Sequence, residues 1–263
     1  MFQRSPNVIE LEKPTIQSIE IPSKMQIQLR LGGIFVAMMI ISIWAVSLSL
    51  LLAIDISNFN FFIILSLIFW QTFLYTGLFI TAHDAMHGVV FPQNIKLNHF
   101  IGSLCLCLYG FLPYKKLLKK HWLHHHYPAS ELDPDFHDGN NENFFLWYLY
   151  FMKNYGDWQQ IASLIVLYNL IVFCLHIPSE NLTYFWVIPS LLSSLQLFYF
   201  GTFLPHREPK EGYIEPHRAQ TIPRSIWWSF ITCYHFGYHQ EHHEYPHLAW
   251  WQLPRIYKII HNA

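Results

Sequence analysis

FNFFIILSLIFWQTFLYTGLFITAHDAMH, residues 59–87, runs for 24 residues from Phe59 to Ala82 without a charge and then places two histidines four apart. As a helix that run is about 36 Å long at ~1.5 Å per residue, more than the ~30 Å hydrocarbon core of a bilayer. It therefore reads as a membrane span whose far end presents His83 and His87 on one face. Leu31 to Ile54 is a second uncharged run of 24, and Asp55-Ile-Ser-Asn58 between the two suffices only for a tight turn. Ile161–Ile177, interrupted by Asn169, and Tyr184–Leu204, containing Pro189 and Gly201, complete four predicted spans, at about 31–54, 59–82, 161–177 and 184–204. Pro178 to Thr183 is predicted as the turn between the last two. His99–Leu112 is apolar but too short to cross, and reads as re-entrant or interfacial; the Trp- and Tyr-bearing stretch Phe144–Met152 reads as interfacial.

Composition agrees. Of 263 residues, 52% are hydrophobic and 13% charged, against about 25% charged in soluble domains, so much of the surface need not face water. A balance of 16 Lys+Arg against 17 Asp+Glu offers nothing to a nucleic acid. The turns 55–58 and 178–183 contain no Lys or Arg. The middle segment holds Lys96, Lys115, Lys116, Lys119, Lys120 and Lys153, and the stretch after 204 holds Arg207, Lys210, Arg218, Arg224, Arg255 and Lys258. The positive-inside rule then puts both termini and the middle segment in the cytoplasm. Residues 1–30, with Arg4, Lys13, Lys24 and Arg30 before a long apolar run, are expected to form an uncleaved cytoplasmic tail. Residues 31–263 are expected to form one all-α integral membrane domain with a histidine-rich cytoplasmic cap, in a plasma or thylakoid membrane. Cys105, Cys107, Cys174 and Cys233 form no C-x-x-C and are expected as small buried hydrophobes.

The chemistry lies in the 17 histidines. After His83 and His87 come His121-Trp-Leu-His124-His125-His126 and His239-Gln-Glu-His242-His243. Positions i, i+3 and i+4 share a helix face; His126 falls about 140° away at ~3.6 residues per turn and is left out. One such pair at a helix end is commonly no more than polar and interfacial. Three clusters on one membrane face are a different matter, because burying so many imidazoles beside a bilayer is costly without a partner. The absence of thiolates argues against structural zinc. Imidazole suits iron, copper, zinc and nickel, so spacing leads as far as a two-metal site and leaves the metal open. His206, in Phe203-Leu-Pro-His-Arg207, emerges on the same face as a ninth candidate. Asp84, Asp133, Asp135, His137 and Glu241 are candidates to orient ligand imidazoles, with solvated or capping roles as the alternative. His235 is expected to pack among aromatic residues; His99, His176, His217, His247 and His261 are left unassigned.

The clusters, in this order, with two spans before the first and a hairpin between the second and third, resemble the membrane fatty-acid desaturase/hydroxylase superfamily. His83-Asp-Ala-Met-His-Gly88, Asp133-Pro-Asp-Phe-His137, Phe203-Leu-Pro-His-Arg207 and His239-Gln-Glu-His-His-Glu-Tyr-Pro-His247 resemble, within it, the bacterial and cyanobacterial β-carotene 4-ketolase family, over roughly residues 30–255. The resemblance implies two non-haem irons, dioxygen as co-substrate, and electrons from an external donor such as ferredoxin. It implies oxidation of C4 and C4′ of β-ionone rings, taking β-carotene through echinenone to canthaxanthin. It implies His83, His87, His121, His124, His125, His239, His242 and His243 as iron ligands, with His206 matching a further histidine near the metals. Trp122-Leu123 departs from the basic residues common between the histidines of the second cluster, which bears on packing or donor docking.

The nearest rivals are a carotenoid hydroxylase and a fatty-acid desaturase or hydroxylase with the same metals, separated by product. A metal transporter, the rival from another class, would place its ligands near the bilayer midplane on broken helices; here the clusters lie beyond the span ends. The aromatic residues of 144–151 and 227–251 are expected either to line a path for a long apolar substrate or to anchor at the interface.

Overall fold

The computed structural model describes residues 23–139 and 141–261, with side chains from Gly32 onward; most of the expected tail 1–30 lies outside the described residues. All regular structure among the described residues is helical. α1 (Ser23–Ala53), α2 (Phe61–Met86), α6 (Trp158–Leu175) and α7 (Ser179–His206) each contain a stretch long and apolar enough to cross a membrane. α3 (Ile95–Gly110) and α4 (Tyr114–His126) meet at 103°. α5 (Phe144–Tyr155), α8 (Ile226–Cys233), α9 (His239–Glu244) and α10 (Leu253–His261) complete the chain. The outward faces of the spans are apolar: Phe35, Phe62 and Phe173 are 71%, 75% and 70% exposed. Hydrocarbon rather than water is the solvent such a surface suits.

α2 is the central helix. Its second half is buried continuously from Leu74 to Met86, save for Phe79, against α1, α3 and α7, and Leu74, Leu78, Ala82, Ala85, Cys105 and Leu197 belong to the core. Asn60 caps its start by accepting from the Ile63 N–H at 3.0 Å. Its end is set by Gly88 at φ +77°. Val89 N–H bonds to Asp84 O and Gly88 N–H to Ala85 O, both at 3.1 Å. That pair of bonds is a Schellman stop, which needs the left-handed conformation glycine adopts freely. The stop leaves His83 and His87 in the last turn.

α7 is continuous, contrary to the expected turn at 178–183. Pro178 stands before its first residue, so helix begins at Ser179, and buried Asn181 turns its amide to Leu51 O at 2.9 Å and Ile54 O at 2.8 Å. Those carbonyls end α1 and have no partner within their own helix. Two π turns, Thr183–Val187 and Tyr199–Phe203, each precede a proline by two residues, Pro189 and Pro205. The looser i→i+5 bonding gives room to a ring that would clash in a regular turn.

Cys105 and Cys233 are buried as expected, whereas Cys107 and Cys174 are exposed on faces that hydrocarbon would cover. A thiol is apolar enough for either place. His99 to Leu112, expected as re-entrant or interfacial, lies in α3 and the bend into α4, where Phe111 adopts φ +56°.

Candidate metal centre

α2 and α7 end on the same side, and α4 and α9 lie across those ends. Nine histidines converge there in two groups. His83, His87, His121, His125 and His242 form one; His124, His206, His239 and His243 form the other, each with ligand-capable nitrogens all within 4.8 Å of one another. The clusters do not map one to a group. On α4, His121 and His125 face the first group and His124 the second; on α9, His242 faces the first and His239 with His243 the second. The rings of His125 and His243 stack at 4.2 Å where the groups adjoin.

The donor chemistry fits metal. Nε2 atoms face one another between His87 and His121 at 2.6 Å, His125 and His242 at 3.0 Å, and His243 and both His124 and His239 at 3.1 Å. A bond between two imidazoles needs one donor and one acceptor, so several nitrogens converging on one point cannot all be satisfied by protons. Both ring nitrogens of buried His83 and the Nε2 of buried His206 have no hydrogen-bond partner, a costly state that a cation relieves. Burial, and after it the neighbouring imidazoles, hold the pKa of His239, His242 and His243 well below the ordinary histidine value. They are therefore neutral near pH 7, the form that ligates metal.

Two imidazoles are aimed by their other nitrogen. His124 Nδ1 lies 3.0 Å from both oxygens of Asp133, and His206 Nδ1 donates to the Arg218 carbonyl at 2.9 Å. Each leaves Nε2 directed at the second group. Asp133 is itself fixed by the N–H groups of Ala129 at 2.8 Å and Asp135 at 2.9 Å. α5 clamps the stretch around it: Trp147 Nε1 donates to Asp135 O at 2.8 Å, Asn154 to Pro134 O at 3.0 Å, and Tyr155 to the Asp135 carboxylate. Asp135 also approaches His124 Nδ1 at 3.8 Å. Asp84 lies 3.6 Å from His83 Nδ1 and accepts from Trp250 N–H. Glu241 turns to the Thr221 hydroxyl, and His137 packs on Phe136 and Trp147. His126 stands apart, bonded to Trp122 O, and His235 packs beside Phe230 and Trp250. Trp122, the departure in the second cluster, lies edge-on to His87 at 5.3 Å.

Sequence reasoning missed the Arg218 carbonyl, which carries no side-chain signal. Phe236, within the aromatic stretch expected on a substrate path, places its ring 4.9 Å from His83 and 5.3 Å from His239, and Gly201 makes room for it: a Cβ there would overlap the ring. An apolar cavity ends on His83, His121, His124 and His239, walled by Phe79, Leu117, Phe151 and Phe236 among others. Of the aromatics expected on such a path, Phe151 and Phe236 line it; Trp227 and Trp228 face outward, 76% and 62% exposed.

A fatty acid desaturase family model matches residues 56–159 and 150–263. The zeaxanthin 4-ketolase of Chlamydomonas reinhardtii is 38% identical over 245 residues, 89% of this chain and 55% of that protein. Beta-carotene 4-ketolase 3 of Haematococcus lacustris is 42% identical over 193 residues, 71% of this chain and 60% of that protein. The beta-carotene ketolase of Paracoccus sp. (strain PC1) is 40% identical over 193 residues, 71% of this chain and 76% of that protein. The chain spans about half to three-fifths of the length of the algal relatives it matches. No solved structure matches it. Matched from the second span to its last helix, this all-helical membrane protein belongs to the fatty acid desaturase family.

Proposed function

We propose that the chain is a β-carotene 4-ketolase, oxidising C4 and C4′ of β-ionone rings to ketones at a histidine-held di-iron centre. The observation that carries this reading is the ending of an apolar cavity on imidazoles of both groups, in a chain whose relatives bear ketolase names. His83, His87, His121, His125 and His242 would hold one iron, and His124, His206, His239 and His243 the other. Bound there, the irons supply the reductive activation of dioxygen. Each methylene consumes two dioxygen molecules, four electrons and four protons, passing through the alcohol and the gem-diol to the ketone and three waters.

The protein's part is position and dryness. Phe79, Leu117, Phe151 and Phe236 present an apolar wall to the ring and keep bulk water from the reacting carbon. Asp133 and the Arg218 carbonyl hold two imidazoles in one orientation through turnover. The carotenoid would come from the lipid, and electrons from an external donor such as ferredoxin on the cytoplasmic side, a side that the basic residues of the cap support.

Expression in a β-carotene-producing bacterium, with pigments separated by chromatography and mass detection, tests this. Echinenone or canthaxanthin, lost on His124→Ala, is the expected result. Zeaxanthin would assign a C3 hydroxylase, and unchanged carotene with altered lipid unsaturation would assign a fatty-acid desaturase.

A further inference from the structure

The metal cavity does not close on itself. Tyr109, Met152, Gly156, Gln160 and Ser194 wall it and also wall a second, larger groove between α6 and α7. The groove follows α6 from Trp158 to Asn169 and α7 from Trp186 to Ser194. It therefore starts at the metal-side end of α6 and runs along the middle of α7, within membrane depth. Its outer lips, Ile161, Ile165 and Leu191, are 56%, 57% and 55% exposed, and what they meet at that depth is hydrocarbon.

Two features suit this groove to an apolar chain rather than to water or an ion. The polar groups at the shared collar are already engaged: Gln160 Nε2 donates to Gly110 O at 2.6 Å, Ser194 Oγ meets Tyr148 OH at 2.7 Å, and Tyr109 OH donates to Ser193 Oγ at 3.3 Å. Such a collar offers methylenes and ring faces at little desolvation cost. The outer wall is also weakly held. α6 buries none of its residues, whereas α2 buries most of its second half. A helix held by so little apolar contact can shift aside at low cost.

Resting on the ketolase reading, we infer that the groove between α6 and α7 is the lateral portal and binding site for the distal polyene of the carotenoid. The collar passes the chain while one ring lies against the histidines. A forty-carbon polyene is long and rigid, so with one ring in the metal cavity the remainder must leave it, and the collar opens toward the solvent from which such a molecule comes. The π turn at Thr183–Val187 within α7 supplies Trp186 and Val187 to the groove wall.

The test uses the full chain in detergent or native membranes, iron-loaded and supplied with reductant, with β-carotene and β-ionone (the ring without the polyene) as probes. Ser190→Trp fills the groove from α7; Ile161→Trp does so from an exposed position on α6 that tolerates bulk. Each is expected to lower the β-carotene retained by purified protein, read by visible absorption, at least fivefold. Ketone formation from β-carotene should fall by the same factor, and β-ionone oxidation by no more than about twofold. Unchanged β-carotene retention in both variants would overturn the portal, and so would equal loss of both probes, which would place the damage at the metal cavity. A wild-type chain that binds β-carotene, loses it on Ser190→Trp and yet makes no 4-keto product from either probe would overturn the ketolase reading and leave the portal standing.

Discussion

At the scale of single residues, the two groups of imidazoles make unequal demands. His124 has Asp133 hydrogen-bonded behind it, while His83 makes no hydrogen bond and has Asp84 3.6 Å from Nδ1, yet each offers a nitrogen to its group. Replacing any of the nine converging histidines by Ala should lower ketone output by a hundredfold or more and reduce the iron per chain. His126→Ala, outside both groups, should stay within about twofold. Elemental analysis beside pigment analysis reads both. Asp133→Asn keeps the shape and removes the charge behind His124. Loss of such a partner typically costs ten- to a hundredfold in metal affinity, so, with the two irons proposed, iron per chain should fall by up to half while the protein stays inserted. Gly201→Ala acts on Phe236: the added Cβ overlaps its ring, which packs on His83, His239 and His242. Activity should drop at least tenfold with the chain still folded; unchanged turnover would mean that Phe236 has room to move.

At the scale of elements, Asn181 ties the start of α7 to the end of α1. Its buried amide serves carbonyls there, where burial keeps water from replacing it. Asn181→Leu leaves those acceptors bare and should cost about 1–3 kcal/mol, read as a lower unfolding midpoint in mild detergent. Asn181→Asp, which turns an acceptor toward acceptors, should be worse. Rescue of stability by leucine would contradict this account.

At the scale of the whole molecule, the proposed metal centre links to the fold. Nine imidazoles drawn together from α2, α4, α7 and α9 have no good set of protons among themselves. Removing metal should therefore loosen the cap while the spans persist. Treatment with an iron(II) chelator is expected to abolish ketone formation and to expose residues 121–126 and 239–247 to faster hydrogen exchange. Residues 68–82 should stay protected, and iron(II) should restore the cap. A chelated protein with an unchanged exchange pattern would show that the cap holds itself together.

Much of this was legible in the chain. Apolar run length against bilayer thickness announced four spans, because hydrocarbon permits only elements that satisfy their own backbone. Histidine spacing of three and four announced convergent imidazoles, because helical periodicity is local. Other features depended on residues far apart and so were decided only by tertiary structure. Which histidine joins which group follows from how α4 and α9 cross the ends of α2 and α7, and this divided the adjacent pairs His124–His125 and His242–His243 between groups. The burial that keeps His239, His242 and His243 neutral, the clamp of α5 on Asp133-Pro-Asp, the Arg218 carbonyl behind His206, and the groove along α6 all arise between segments a dozen or more residues apart in sequence. Local pattern specifies what a helix face carries; only packing specifies what that face meets.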